Sequence, residues 1–346
     1  MDANIDVTCE VTGFPGYEGE VLRLRNANRD KPETLAYLTW RYERRQDCPP
    51  PLIFWLLTGD GHRIGMASVV FRPYWINGAP VQAAVVGDIS LDTRWRGYGL
   101  GRHLLSFMTV HLDQHFPTHA AFVIPTEAAR RTLAAVGWVT PGALVPHVYL
   151  VDATRYIQSL VRSEWVAVRI ARQLRHVAHL VARVAAPRDG SLHLKSTLDL
   201  SMTEFANGFS GSGDALHDLS TDSLIWRYQQ HPHTRFTFAS LIRSGTVRGL
   251  LVFEDDTLER TRTIYDLVAK SDADMGGMLA LLILNALSTS GIVTLRVLVN
   301  AQHPCRSQLW RLGFISRRPD AVFQVHSRTG TAERLNWRVT QGDKDT

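Results

Sequence analysis

At 346 residues the chain is too long for one ordinary core and suits two domains of about 150 residues each. Hydrophobic residues at 45% and charged residues at 21% exclude a largely disordered chain. A net charge of +5, from 38 Lys and Arg against 33 Asp and Glu, does not mark a nucleic-acid-binding protein, and no stretch reaches the roughly 18 continuous apolar residues of a membrane-spanning helix.

In chain order, Met1-Asp2-Ala3-Asn4-Ile5-Asp6 has no basic region followed by an apolar run, so no secretory leader is expected. Helices are predicted over 18–30 and 33–46, the second stopped by Cys48-Pro49-Pro50-Pro51 because proline lacks the N–H that a helix needs. Strands follow at 52–58 and 64–72, joined by the hairpin signal Gly59-Asp60-Gly61, and a third spans 81–91. A helix from Gly99 to Gln114 carries Leu100, Leu104, Leu105, Met108 and Leu112 on one face. A short strand over 120–124, a helix over 127–136 ended by Gly137, and a strand over 145–151 close this part as mixed α/β. Cys9, Cys48 and Cys305 are scattered without zinc-site spacing, so neither a disulfide framework nor a bound metal is expected, and the cytoplasm is the simplest setting.

Residues 152–187 read as a helical connector. From Trp165 to Ala186, Ile170, Leu174, Val177, Val181 and Val184 recur at helical spacing opposite Arg169, Arg172, Arg175, His179 and Arg183. The simpler expectation packs this apolar stripe on one of the domains and leaves the arginines in water; the other lays residues 165–186 on an anionic membrane as a peripheral contact.

The chain then repeats itself in order. Leu38-Thr39-Trp40-Arg41-Tyr42 returns as Leu224-Ile225-Trp226-Arg227-Tyr228, Gly87-Asp88-Ile89 as Tyr265-Asp266-Leu267, and Ala134-Ala135-Val136-Gly137-Trp138 as Trp310-Arg311-Leu312-Gly313-Phe314. The expected layout is one domain over 1–151, the connector, a second copy over 188–330 and a polar, frayed tail over 331–346.

Between strand and helix of the first copy stands Arg96-Gly97-Tyr98-Gly99-Leu100-Gly101-Arg102. Glycines remove the Cβ atoms that would block a phosphate from backbone N–H groups, the helix start adds its positive end, and the arginines add charge-assisted bonds. The second copy has Ser271-Asp272-Ala273-Asp274-Met275-Gly276-Gly277 there, acidic where the first is basic, and carboxylates repel a phosphate. A dinucleotide fold is disfavoured, because G-x-G-x-G after an antiparallel meander is neither the G-x-G-x-x-G pattern nor its place.

Arg96 to Gly101 resembles the R/Q-x-x-G-x-G/A signature of the GNAT-type N-acyltransferase superfamily, with the strand before and the helix after it, and the resemblance runs to Gly137-Trp138. It implies two tandem mixed-sheet domains, each an antiparallel meander followed by strand-helix-strand-helix-strand, the second degenerate, joined by the long basic helix. It also implies acetyl-CoA or another acyl-CoA as co-substrate and no metal. The pyrophosphate would be held by Arg96, Gly97, Tyr98, Gly99, Leu100, Gly101 and Arg102, and the pantetheine by Ile89, Ser90 and Leu91, with Thr126 standing where the family often has an asparagine. Trp40 and Tyr42 would lie on the acceptor side, although their repetition argues mostly for packing.

Asp88, eight residues before Arg96, is the expected catalytic base; the alternative is a carboxylate satisfied by backbone N–H groups or an arginine. The family's usual tyrosine acid is replaced by Leu133, and by Leu309 in the second copy, so either the thiolate leaves unassisted or a group such as Tyr98, His147 or Tyr149 reaches it; for His147 the simpler expectation is a strand histidine packed against the sheet. The expected reaction is acyl transfer to the primary amine of a small molecule, an amino sugar or amino-acid-like acceptor, in the cytoplasm or at the inner face of a membrane. A runner-up takes its acyl group from an acyl carrier protein or an aminoacyl-tRNA, docked on Arg41, Arg44 and Arg45 and the connector helix. A third reading is a non-catalytic acyl-CoA sensor or membrane scaffold. His231-Pro232-His233 reads as a loop, its imidazoles too few for a metal.

Overall fold

The computed structural model describes residues 6–29, 31–43, 45, 48–117, 119–161, 163–209 and 215–344; Arg44 of the expected basic dock and Met1 to Ile5 lie outside them. The first half of the chain forms β1 (Val7–Thr12), α1 (Glu18–Asn26), α2 (Leu35–Arg41), β2 (Leu52–Thr58), β3 (Arg63–Ile76), β4 (Ala79–Leu91), α3 (Leu100–His115), β5 (Ala121–Val123), α4 (Glu127–Ala134), β6 (Val139–Leu150), α5 (Thr154–Gln158) and α6 (Glu164–Ala185). The second half forms β7 (Gly190–Lys195), α7 (Leu200–Asn207), β8 (Ala215–His217), α8 (Thr221–Leu224), β9 (Thr237–Arg243), β10 (Thr246–Asp256), β11 (Thr261–Ala269), α9 (Asp272–Ser288), β12 (Thr294–Asn300), α10 (Arg306–Arg311), β13 (Ile315–Ser316), β14 (Ala321–His326), β15 (Trp337–Arg338) and α11 (Gln341–Lys344). Mixed α/β order is therefore present in both halves, and α1 and α2 are shorter than expected.

The chain divides into two compact units, each assembled from more than one stretch. In the first, β1, β2, β3 and β4 form the antiparallel meander, and β5 joins β4 in parallel through Ala84↔Ala121 and Val85↔Phe122. Its next strand is β14, paired with β5 from Gln324↔Val123 to His326↔Ala121. In the second, β7, β9, β10 and β11 form the meander, β12 joins β11 in parallel, and β6 closes the order from Leu150↔Thr294 to Leu144↔Asn300. The duplicated folds thus exchange their closing strands, so the segments 1–151 and 188–330 give the order of elements but not the complete membership of either unit.

In the first unit the apolar face of α3, with Leu100, Leu104, Leu105, Met108 and Leu112, packs with Phe54, Val69, Phe71 and Val86 of the sheet. In the second, α9 is buried almost all round, with Met278, Leu279, Leu282 and Ile283 against Leu251, Ile264 and Val297.

Two expectations are corrected. The stretch 331–346 is not a frayed tail over its described part: Trp337 is buried and stacks on Phe122 with centroids 5.5 Å apart, and Thr340 Oγ1 donates to Asp266 Oδ1 at 2.6 Å. The connector is two helices, and α6 turns its alanines inward instead of its branched residues. Ala167, Ala171 and Ala182 are buried, while Ile170, Leu174, Val177, Val181 and Val184 are exposed. Alanine lets the helix approach the protein closely, and that closeness decides the face.

Candidate functional site

A β-bulge shapes the end of β4. Ser68 pairs with Gly87 but Met66 pairs with Ser90, so β4 carries one extra residue there, and Asp88 takes the left-handed φ of 49° that such a bulge uses. Among the described residues no pairing joins β4 to β5 beyond Val85, which leaves the β5-side edge of Ile89 to Leu91 facing a gap. That gap is part of a cleft of about 470 Å³. Ile89, Ser90 and Leu91 line one side, Arg96, Gly97, Gly99, Leu100, Gly101 and Arg102 the turn and helix start, and Thr126, Ala128, Ala129 and Thr132 the start of α4.

The turn is built to leave donors open. Gly97 (φ 89°) and Gly99 (φ 74°) occupy the left-handed region, where a side chain is strained. Gly99 is the N-cap of α3 and has no side chain to cap it, so the first N–H groups of the helix are left for a ligand. Gly101 is different. Its φ is ordinary and a Cβ there would meet no protein atom within 4 Å, so neither backbone nor packing requires glycine; the cleft is what a side chain would fill. Arg96 is braced by its bonds to the Leu91 carbonyl (3.3 Å) and the Asn28 side chain. This cradle fits a pyrophosphate, with positive charge, open N–H groups and no intervening side chain.

The second copy is closed at the same place. A Cβ on Gly276 would lie 2.8 Å from Gln308 Oε1, and one on Gly277 2.9 Å from Pro187, so protein side chains already occupy that space. Ser271 caps the helix by accepting from Asp274 N at 3.1 Å, and the buried Asp274 carboxylate is held by Arg243 and Arg248 at 3.1 and 3.0 Å. Burial pushes its pKa up, but the bonds from Ser271 Oγ (2.7 Å), Arg248 and Arg243 hold it below the usual carboxylate value.

Asp88 sits among cations. Its side chain is fully buried; Oδ1 faces Arg25, and Arg29 at 3.4 Å, while Oδ2 faces Arg41 at 3.2 Å and accepts from Tyr42 Oη at 2.7 Å. Burial, then the neighbouring Arg41 and Arg29, lowers the Arg25 pKa to about 10, and burial raises that of Tyr42. Gly87 lets the Arg41 guanidinium pass, because a Cβ there would collide with Nη2. The second copy repeats the device. In β11 the register shifts between Val252↔Asp266 and Phe253↔Ile264, so Tyr265 is the extra residue, and Asp266 beside it takes Arg227 at 3.4 Å, Tyr228 Oη and Thr340.

The structure therefore gathers Ile89, Ser90, Leu91, Arg96, Gly97, Gly99, Leu100, Gly101, Arg102 and Thr126 around one cleft. Tyr98 is exposed and absent from its lining, and Leu133 lies in the first unit's apolar core. Trp40 is buried and packs on Tyr37 at 5.5 Å, and Tyr42 stacks on Phe14 at 4.5 Å. His147 and Tyr149 belong to the second unit. There His147 bonds the Val145 carbonyl at 2.9 Å, and Tyr149 packs on Phe314 with its pKa raised by burial to about 12. Arg41, buried on Asp88, is unavailable to a docked macromolecule. Sequence reasoning missed Asn28, Arg25 and Arg29; only the spacing of the two arginines by one helical turn hinted at a shared target. Among the described residues no cluster of His, Cys, Asp or Glu could hold a metal.

Residues 21–138 match the model of the Acetyltransferase (GNAT) family, so the first unit carries a GNAT-type domain. A search of curated proteins finds no significant match. Among solved structures the chain is similar to a conserved protein of Enterococcus faecalis, with TM-score 0.65 and 11% identity over 93% of this chain and 72% of that one. It is also similar to a GCN5-related N-acetyltransferase from Anabaena variabilis, with TM-score 0.64 and 11% identity over 92% and 72%. A tandem GNAT protein from the clavulanic acid biosynthesis pathway matches with TM-score 0.57 and 14% identity over 93% and 98%. At these identities the likeness is one of fold.

Proposed function

We propose that this chain, whose residues 21–138 form a GNAT-family acetyltransferase domain, is an acyl-CoA-dependent N-acyltransferase acting on the primary amine of a small molecule. The observation that carries the reading is the glycine cradle at Gly97, Gly99 and Gly101, open to the cleft and flanked by Arg96 and Arg102. Acyl-CoA supplies the thioester. The cradle and Arg96 hold its pyrophosphate, and the backbone of Ile89 to Leu91, paired to β3 but open on the side of β5, holds the pantetheine arm and aims the thioester carbonyl. A neutral amine attacks directly in a ternary complex; the C–N bond forms, the C–S bond breaks, and the amine proton leaves with the thiolate or through water.

Asp88 enters this reading as a positioning residue. Its carboxylate faces three guanidinium groups and accepts from a tyrosine hydroxyl, and these contacts tie down the bulge from which Ile89 to Leu91 extend. Amino sugars and amino-acid-like amines are the acceptor class proposed, and the cytoplasm the compartment.

Calorimetry with CoA tests the cradle. One CoA is expected to bind, and Gly99→Glu, which sets a carboxylate beside the phosphates, is expected to weaken binding at least about a hundredfold. A wild-type protein that binds no CoA overturns the reading. With CoA binding in hand, thiol release from acetyl-CoA over a panel of primary amines separates an enzyme from a sensor.

A further inference from the structure

The helix α6 has three faces. At 100° per residue, Ala167, Ala171, Ala178 and Ala182 share the inward arc, fixed in place where Arg175 donates to the Leu287 carbonyl. Leu180, Val184, Val177, Ile170, Val181 and Leu174 form a second arc of about a third of the circumference, all exposed, with Val184 at 88%. His179, Arg172, Arg183, His176 and Arg169 form the third, beside it. Trp165, 68% exposed in the first turn, lies under Arg169 at 5.3 Å. Glu164, the first residue of the helix, is its only carboxylate.

This arrangement is costly in water. An apolar strip along 22 residues is larger than scattered surface hydrophobics, and branched Val and Ile are middling helix formers with no packing role on this face. Something apolar must cover the second arc and something anionic must meet the third. A second copy of the helix supplies the first need but not the other, since it would set arginine against arginine with no acid to separate them. A lipid surface supplies both, taking apolar side chains at the acyl boundary and arginines among phosphates. No helix among the described residues is long and apolar enough to cross a membrane, so the contact is parallel to the surface.

We propose that α6 docks the protein on an anionic phospholipid surface, with Leu174, Val177, Val181 and Val184 immersed and Arg169, Arg172 and Arg183 on the headgroups. The inference is independent of acyl transfer.

The test is sedimentation of the full chain with vesicles of phosphatidylcholine alone and of phosphatidylcholine mixed with phosphatidylglycerol. Binding is expected only to the mixed vesicles and is expected to fall with salt. Each of Arg172→Gln and Arg183→Gln is expected to weaken it about fivefold. Val177→Asp with Val181→Asp is expected to abolish it at unchanged melting temperature, because both side chains are exposed; hydrogen-exchange protection of 165–184 by vesicles gives a readout that needs no variant. Failure to sediment with anionic vesicles overturns the proposal. So does equal binding to neutral vesicles, or a dimer in solution that the double variant dissociates.

Discussion

Replacing Asp88 by Asn separates the two roles a carboxylate could have at the β4 bulge. The side chain is fully buried, and Arg25 and Arg41, nearly as buried, each lose their anionic partner. Leaving a buried charge without its counter-ion costs about 3–5 kcal/mol. Asparagine still accepts from Tyr42, and Glu33 lies 3.6 Å from Arg25, which favours the lower end. At roughly 2–4 °C per kcal/mol for a unit of this size, the melting temperature should drop by roughly 6–20 °C. Asp266→Asn, in the half without a phosphate cradle, should drop comparably. The assay is thermal unfolding followed by circular dichroism, with CoA affinity and amine turnover measured well below the transition. If Asp88→Asn melts with the wild type while turnover collapses and CoA still binds, Asp88 is the reaction's base and the positioning argument is wrong.

Gly101→Ala should move stability and affinity in opposite directions, since alanine favours the first turn of α3 by about 0.5–1 kcal/mol while its methyl enters the cradle and weakens CoA binding about tenfold. A variant that binds CoA as tightly as the wild type would show that the cleft does not require glycine at that position. Calorimetry should give one CoA per chain, because Gln308 and Pro187 fill the matching place of the second copy; a stoichiometry of two refutes this. Acid should destabilise the fold through His231, whose pKa burial, then the nearby His233, lowers to about 4 from 6.5. Below pH 6.5 the unfolded chain takes up a proton that the folded one refuses, so stability falls from about pH 6.5 towards pH 4, and His231→Gln should flatten that part of the melting curve. Trp337→Ala should cost about 3–5 kcal/mol as a buried aromatic truncation, where a frayed tail would cost nothing.

Legibility followed locality. The cradle could be read because its ingredients are consecutive: Arg96 to Arg102 hold charge, turn and helix start in seven residues, and a phosphate site needs no partner from elsewhere. The periodic face of α3 was readable for the same reason. The exchange of β6 and β14 was not, because a closing strand has the same alternation whichever sheet receives it, and pairing such as Val145↔Val299 leaves no local mark. An arginine partner for Asp88 was one of the readings left open, but which arginines, coming from α1 and α2, was not legible. On α6 the pattern was legible but its sense was not: apolar periodicity predicts a face packed on the protein, whereas the face that packs is the arc of alanines.

The internal duplication supplies the control that one sequence otherwise lacks. Both copies keep a bulge, an acid in it or beside it, and an Arg-Tyr pair reaching that acid, as Asp88 with Arg41 and Tyr42 and as Asp266 with Arg227 and Tyr228. Only one copy keeps an open cradle. If the acid served proton transfer to or from a CoA-bound intermediate, closing the cradle would have left Asp266 nothing to do, and a buried carboxylate without a task is a liability that a neutral residue removes. Its retention in the closed copy, with Thr340 added as a further donor, is what a structural clamp requires. A bulge interrupts the ladder, and in the first copy it also puts Asp88 into the left-handed region, φ 49°; in both copies the acid's bonds to guanidinium and phenol tie the interrupted strand to the neighbouring helical segment. On the reading proposed above the clamp belongs to the fold and the cradle to the reaction, and the turnover and melting temperature of Asp88→Asn decide whether Asp88 also takes the amine proton.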